Sequence, residues 1–246
     1  MSETIPTVYY TYYDSPDQAR PSQAASLEHE IGRKLLLKGL KDIYDICLTF
    51  PELEEKLQKT ENGKPSLPDR FPCFNISHCP GMIVCAFYDS PVGIDAEKIR
   101  PFRDSFLRKV LTKAESEVYH QLTEAFPEKR EELLFRYWTL KESFIKYTGE
   151  GLSRSLTDIS FSFPPSLAIS FSAENDSGKD PADENESRGK CHHLIRPCSD
   201  HPELLFFQKK TETGYILSLC IKHISGLCDT GNEMEPVLHS ISLQDL

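Results

Sequence analysis

Apolar positions along this chain change period several times, and each change marks an element. Thr7–Tyr13 has strand composition and stops at Asp14-Ser15-Pro16. Leu27, Ile31, Leu35 and Leu40 then recur at helical spacing, which predicts a helix capped by Ser22 or Ser26 and running to about Gly39 or slightly beyond. Asp42–Leu57 reads as a second helical stretch broken near Thr49-Phe50-Pro51, and Glu61–Pro65 as a turn. Met82–Tyr88 is an unbroken apolar run closed by Asp89-Ser90-Pro91, a buried strand that turns back into Val92–Glu97. Thr112-Lys113-Ala114-Glu115 has the form of a capping box and opens a helix through Val118 and Leu122.

The most regular segment is 128–148. Leu133, Leu134, Tyr137, Leu140, Phe144 and Ile145 fall three and four apart, between Pro127 and Gly149. Beyond it, Ile159–Phe163 and Leu167–Phe171 read as strands split by Pro164-Pro165. Leu204–Gln208 and Tyr215–Ile221 form a hairpin around Glu212-Thr213-Gly214. Between them 173–190 is polar and acidic and predicts a mobile surface loop, while 225–246 predicts a loosely attached tail.

Composition narrows the class. A chain of 246 residues, 39% hydrophobic and 27% charged, is that of a soluble globular protein. No run approaches the roughly 18–20 apolar residues of a membrane span, and no secretory signal is expected from Met1-Ser2-Glu3-Thr4. Eight irregularly spaced cysteines predict reduced thiols and a cytoplasmic protein. Cys191-His192-His193 with Cys198 fits no common zinc spacing. A net charge of −10 disfavours nucleic acid or a membrane as partner.

The candidate chemistry lies in two places. Asp95 and Glu97 are two apart on a strand and present their carboxylates to one side, with Ile94 and Ala96 turned inward. Glu142 and Lys146 are four apart on the 128–148 helix, with Trp138 a turn earlier. Three hard oxygen ligands are what Mg²⁺ takes while leaving room for phosphates, and Lys146 would stand beside those phosphates as a point charge.

Gly93-Ile94-Asp95-x-Glu97, then Trp138-x-x-Lys141-Glu142-Ser143-x-x-Lys146 and Gly149-x-Gly151-Leu152, resembles the signature of the Sfp-type 4′-phosphopantetheinyl transferases. Phe74-Asn75-Ile76-Ser77-His78 is similar to a third family element, and Glu61-Asn62-Gly63-Lys64-Pro65 to its Gly-Lys-Pro element. The resemblance covers about residues 60–165 strongly.

It implies an α+β fold of two similar α/β halves, 1–102 and 103–224, related by a pseudo-twofold axis with the active site in the cleft between them. It implies transfer of the 4′-phosphopantetheine arm of coenzyme A, with Mg²⁺ (or Mn²⁺), to a serine of an apo acyl-, peptidyl- or aryl-carrier protein, releasing 3′,5′-ADP. Asp95, Glu97 and Glu142 would hold the metal. Lys64, Ser77, His78 and Lys146 would bind coenzyme A. Glu142, Glu115 or a water on the metal would take the serine proton. The coenzyme A 3′-phosphate has no residue-by-residue match among Arg20, His29, Arg33 and Lys34.

Lys98, Arg100, Arg103, Arg108, Lys109 and Lys113 form a basic patch in an acidic chain, suited to an acidic carrier protein docking on a monomer. Two rivals share these residues. A Mg²⁺-dependent nuclease would place its last acid and lysine two apart on a strand. A non-catalytic binding module would have lost catalytic positions, and every matched position carries the expected residue type.

Overall fold

The computed structural model describes residues 5–14, 21–176, 194–222 and 235–246. β1 is Thr7–Tyr12, and α1, Pro21–Tyr44, carries Ser22 and Ser26 inside it. Gly39 does not end α1. Its α-carbon lies against the Phe87 ring, where no side chain fits, so the glycine serves close packing and the helix continues past it. α2, Phe50–Lys56, starts at a Thr49/Glu52 capping box. A two-residue ladder, β2 (Gln58–Lys59) with β3 (Pro65–Ser66), brackets the Gly63 turn.

β4 (Cys73–Cys79), β5 (Met82–Tyr88) and β6 (Val92–Lys98) follow in quick succession. Phe74–His78 is therefore strand. α3 is Leu107–Val110; α4, Lys113–Ala125, opens at the Thr112/Glu115 box; α5 is Arg130–Thr148, ending at Gly149 with φ 74°. β7 is Phe161–Ser162 and α6 is Ser166–Asp176, so Leu167–Phe171, expected as a strand, is helical. Leu167 and Phe171, four apart, are buried while Ile169 is 68% exposed; a strand would have put all three on one face. Ala173–Asp176 continues α6, and the remainder of the expected loop, like Cys191-His192-His193 and Arg20, lies outside the described residues. β8 (Cys198–Ser199), β9 (Leu204–Lys210), β10 (Tyr215–Lys222) and β11 (Val237–Ser240) complete the chain.

The strands make two main sheets, ordered β11-β1-β5-β4 and β6-β10-β9. Only the β1–β11 pair among them is parallel. Two strands cross the boundaries expected from sequence. β6 hydrogen-bonds to β10, not β5, and β11, from the expected tail, pairs along β1 from Thr7↔Val237 to Tyr10↔Ser240.

Three apolar layers stack through the molecule. Leu35, Leu36 and Leu40 of α1 meet Ile83, Cys85 and Phe87 of β5. The other face of β5, Val84 and Ala86, meets Ile94 and Ala96 of β6 with Leu217 and Leu219 of β10. The far face of the second sheet meets α5 through Leu140, Phe144, Phe206 and Cys220. β5 is covered on both faces, which is why it reads as continuous apolar sequence. Among the described residues no helix is long and apolar enough to cross a membrane. The fold is mixed α+β.

Candidate active site

Where the two sheets adjoin, at β4 and β6, side chains take over from the backbone ladder. Asn75 Oδ1 accepts from Ile94 N at 2.8 Å, and Ser77 Oγ accepts from Ala96 N at 3.4 Å. Both buried polar residues of β4 thereby face β6 and are satisfied there.

Asp95 sits at that junction, 5% exposed. Its Oδ1 accepts from Ser77 Oγ at 2.9 Å and from Lys146 Nζ at 2.7 Å. Lys146 Nζ also reaches Ser77 Oγ at 2.7 Å, closing a triangle that joins β4, β6 and α5. The second carboxylate oxygen, Asp95 Oδ2, is buried and has no hydrogen-bond partner. An orphaned anionic oxygen in a dry site is costly unless something cationic meets it.

Glu97 and Glu142 are half-buried beside it. Burial pushes the Glu142 carboxyl above its ordinary range, Asp95 and Glu97 push it the same way, and Lys146 opposes. Glu97 is raised by burial and by Asp95, against the pull of Arg100, whose Nη1 donates to Glu97 Oε2 at 2.6 Å, and of Lys146. Asp95 acts electrostatically on both Glu97 and Glu142, and Glu97 on Glu142, which puts the three acids in one neighbourhood. Among the described residues, however, no three His, Cys, Asp or Glu side chains converge into a cage for a metal ion as they stand. With Lys146 on one oxygen of Asp95 and Arg100 on Glu97, the carboxylates are partly occupied by internal cations. The orphaned Asp95 Oδ2 and two carboxyls raised by burial and, less, by like charge nevertheless suit a divalent cation.

The other expected site residues divide. Lys64 reaches the junction: Nζ donates to Val92 O at 3.0 Å, tying the Gly63 turn to the start of β6. Burial, opposed by Cys73 and Cys220 and reinforced by Lys146, pushes its ammonium down to about 8. His78 does not join Ser77. Adjacent strand residues point to opposite faces, and His78, exposed, sets Nδ1 3.1 Å from Glu28 Oε2 of α1. Glu28 is also bonded by Tyr13 Oη.

Glu115 is accounted for by structure. It is buried, with Oε1 accepting from Phe161 N at 2.8 Å, Oε2 accepting from Thr112 N at 2.8 Å, and an ion pair to Lys141. Lys141 is fully buried and also donates to Val110 O at 2.6 Å. Glu115 thus locks α4 to α5 and β7. Of the basic patch, Lys98, Arg100, Arg103, Arg108, Lys109 and Lys113 are all exposed. Arg100 is engaged with Glu97 and lies over the Phe135 ring, centroid at 4.7 Å.

Sequence reasoning assigned no role to Asn75 or Lys141. Asn75 could have been found by parity, since Ser77 lies two residues along the same strand. Lys141 could have been found as a charge among Leu140, Phe144 and Ile145 on a buried helix.

Tightness sets the rest. Gly93 lies where α5 crosses β6: a Cβ there would come 2.8 Å from Tyr147 Cα and closer still to Ser143 O and Tyr147 N.

Residues 91–195 match the model of the 4′-phosphopantetheinyl transferase superfamily. The 4′-phosphopantetheinyl transferase Sfp of Bacillus subtilis (strain 168) is 38% identical over 101 residues, 41% of this chain and 44% of that one. A second Bacillus subtilis 4′-phosphopantetheinyl transferase is 32% identical over 146 residues, 58% of this chain and 62% of its own. The 4′-phosphopantetheinyl transferase HetI of Nostoc sp. is 35% identical over 117 residues, 45% and 48%. The match spans about half the length of these curated relatives.

Proposed function

We propose, for a chain whose residues 91–195 belong to the 4′-phosphopantetheinyl transferase superfamily, that it transfers the 4′-phosphopantetheine arm of coenzyme A to a serine of an apo carrier protein. The observation that carries the reading is the Asp95 carboxylate, braced on one oxygen by Ser77 and Lys146 and orphaned on the other, with Glu142 and Glu97 alongside. Asp95, Glu97 and Glu142 would hold Mg²⁺, which when bound neutralises charge on the pyrophosphate and the departing 3′,5′-ADP.

The chain's own groups supply the rest. Lys146, already between Ser77 and Asp95, is placed to shift onto a phosphate oxygen and leave Asp95 to the cation. Lys64 brings a second positive group behind it. Glu142, with its carboxyl held above the usual range, is the better candidate to receive the serine proton; Glu115 would first have to give up its three bonds. His78 would act from the other face of β4, after release from Glu28. On this reading the chain is two similar α+β halves, with α1 against the first sheet and α5 against the second. The exposed basic groups Arg103 and Arg108 would meet an acidic carrier.

Incubation with coenzyme A, Mg²⁺ and a panel of apo carriers from fatty-acid, polyketide and nonribosomal peptide systems, read by intact mass, tests this. A mass gain of one phosphopantetheine, lost in Asp95→Ala and Glu142→Ala variants that keep the fold, is expected. No gain on any carrier, or near-normal transfer by those variants in saturating Mg²⁺, overturns it. Arg103→Glu with Arg108→Glu should raise KM for the carrier and leave KM for coenzyme A unchanged.

A further inference from the structure

A helix packed on a sheet ordinarily buries an apolar strip. α5 does the reverse along one line. Glu132, Arg136, Thr139, Ser143 and Lys146 succeed one another at spacings of four, three, four and three, and the first four are buried. The sheet answers with a polar row of its own. Asp95, Ser218 and Gln208 are ladder partners across β6, β10 and β9, so they share one face, and Ser218 and Gln208 are wholly buried.

The hydrogens of this seam can be assigned by counting donors. Arg136 gives Nε and Nη2 to Glu132 Oε1, at 3.0 and 2.7 Å, and Nη1 to Gln208 Oε1 at 2.8 Å. Gln208 Nε2 therefore faces Arg136 O at 3.0 Å and Ser218 Oγ at 2.8 Å. Thr139 Oγ1 donates to Phe135 O at 2.9 Å, which leaves the Ser218 hydroxyl to donate to Thr139 Oγ1 at 2.7 Å. Weaker second contacts, Thr139 Oγ1 to Arg136 O at 3.3 Å and Gln208 Nε2 to Thr139 Oγ1 at 3.4 Å, run within the same seam, and the shortest bonds give the chain a direction.

Its position matters. Ser218 is the residue directly opposite Asp95, and Thr139 is one helical turn before Glu142 and two before Lys146. The Thr139–Ser218 link thus joins the helix that carries Glu142 and Lys146 to the strand beside the one that carries Asp95 and Glu97. Apolar contacts are non-directional and allow a helix to slide or roll on a sheet; a directed hydrogen-bond chain does not.

We propose that Thr139, Ser218 and Gln208 are positioning residues that set the height and rotation of α5 over β6, and with them the approach of Glu142 and Lys146 to Asp95. Their effect on transfer rests on the function proposed above, whereas their effect on the metal site can be read without it.

The test compares Thr139→Val, Ser218→Ala and the double variant with Thr139→Ser, which keeps the hydroxyl. Thermal midpoints should stay within about 4 °C of wild type. Mn²⁺ affinity, titrated on the protein alone by electron paramagnetic resonance, should fall about tenfold in Thr139→Val and more in the double variant, as for groups that orient metal ligands. kcat should fall in parallel, and Thr139→Ser should restore both. Wild-type Mn²⁺ affinity in the double variant, or a Thr139→Ser variant as impaired as Thr139→Val, overturns the proposal. If the double variant does not fold, Ser218→Ala alone decides on the same two readouts. A wild type that binds Mn²⁺ but transfers no arm removes the function and leaves this inference to the titration; one that binds no Mn²⁺ overturns this inference and leaves the function to the transfer assay.

Discussion

Gly93 is where backbone packing and chemistry meet most directly, and Gly93→Ala tests the connection. The atoms that a methyl group would strike are backbone: Ser143 O, Tyr147 N and, at 2.8 Å, Tyr147 Cα. None can rotate away, so α5 and β6 must separate. Opening only the least severe of these approaches to the 3.4 Å of ordinary contact needs about 0.6 Å. The same displacement carries the 2.7 Å Lys146–Asp95 bond past the roughly 3.2 Å limit of a good hydrogen bond. Overpacking of this kind costs about 1–3 kcal/mol, and with rigid obstacles the upper half of that range is expected. For a chain of this size that is a fall in Tm of about 4–12 °C. Calorimetry or denaturant unfolding gives the stability, and the carrier-loading assay gives the activity. Activity should fall further than the unfolded fraction explains, because the site is displaced in molecules that remain folded. A Gly93→Ala protein with wild-type Tm and wild-type transfer would refute the close approach and the coupling drawn from it.

Two further outcomes follow from buried charge. Lys141→Met leaves Glu115 with no ammonium partner in the core, a loss of about 3–5 kcal/mol by chemical denaturation; adding Glu115→Gln should recover part of it, and no recovery would show that the pair is not the cause. Burial alone would raise the Glu132 carboxyl, but Arg136 and Lys210 outweigh it and hold it below its ordinary 4.5. Its stabilising contribution is then fully present above about pH 4.5 and is lost as pH falls through the lower folded-state value. The stability gap between wild type and Glu132→Gln should therefore be flat near neutrality and close in acid; a gap independent of pH down to 3 would contradict the assignment.

Much of the molecule is legible in sequence because the signals are local. The β5 run, the capping boxes at Thr49 and Thr112, Gly149 at the end of α5 and the hairpin of β9 with β10 are each set by residues within a few positions of one another. Strand parity puts Asp95 and Glu97 on one side and helical spacing puts Glu142 and Lys146 on one face, whereas the meeting of the two pairs is what the motif resemblance implies.

Other features depend on partners far along the chain. β11 joins β1 by backbone hydrogen bonds, which are indifferent to side chain and leave no pattern to read. Gly39 has the form of a helix end until the Phe87 ring is set against it. Leu167 and Phe171 suit either period, and only the apolar layer under α6 chooses the helix. The polar strip of α5 reads as a solvent face, yet Gln208 and Ser218, some 70 to 80 residues on, supply the hydrogen bonds that let it lie inside. Sequence alone determined the elements whose signals are local, and that Asp95 and Glu97 share a side of their strand. Tertiary structure decided which polar groups could leave water, because that requires a matching donor or acceptor at hydrogen-bond distance, and only the folded chain brings one there.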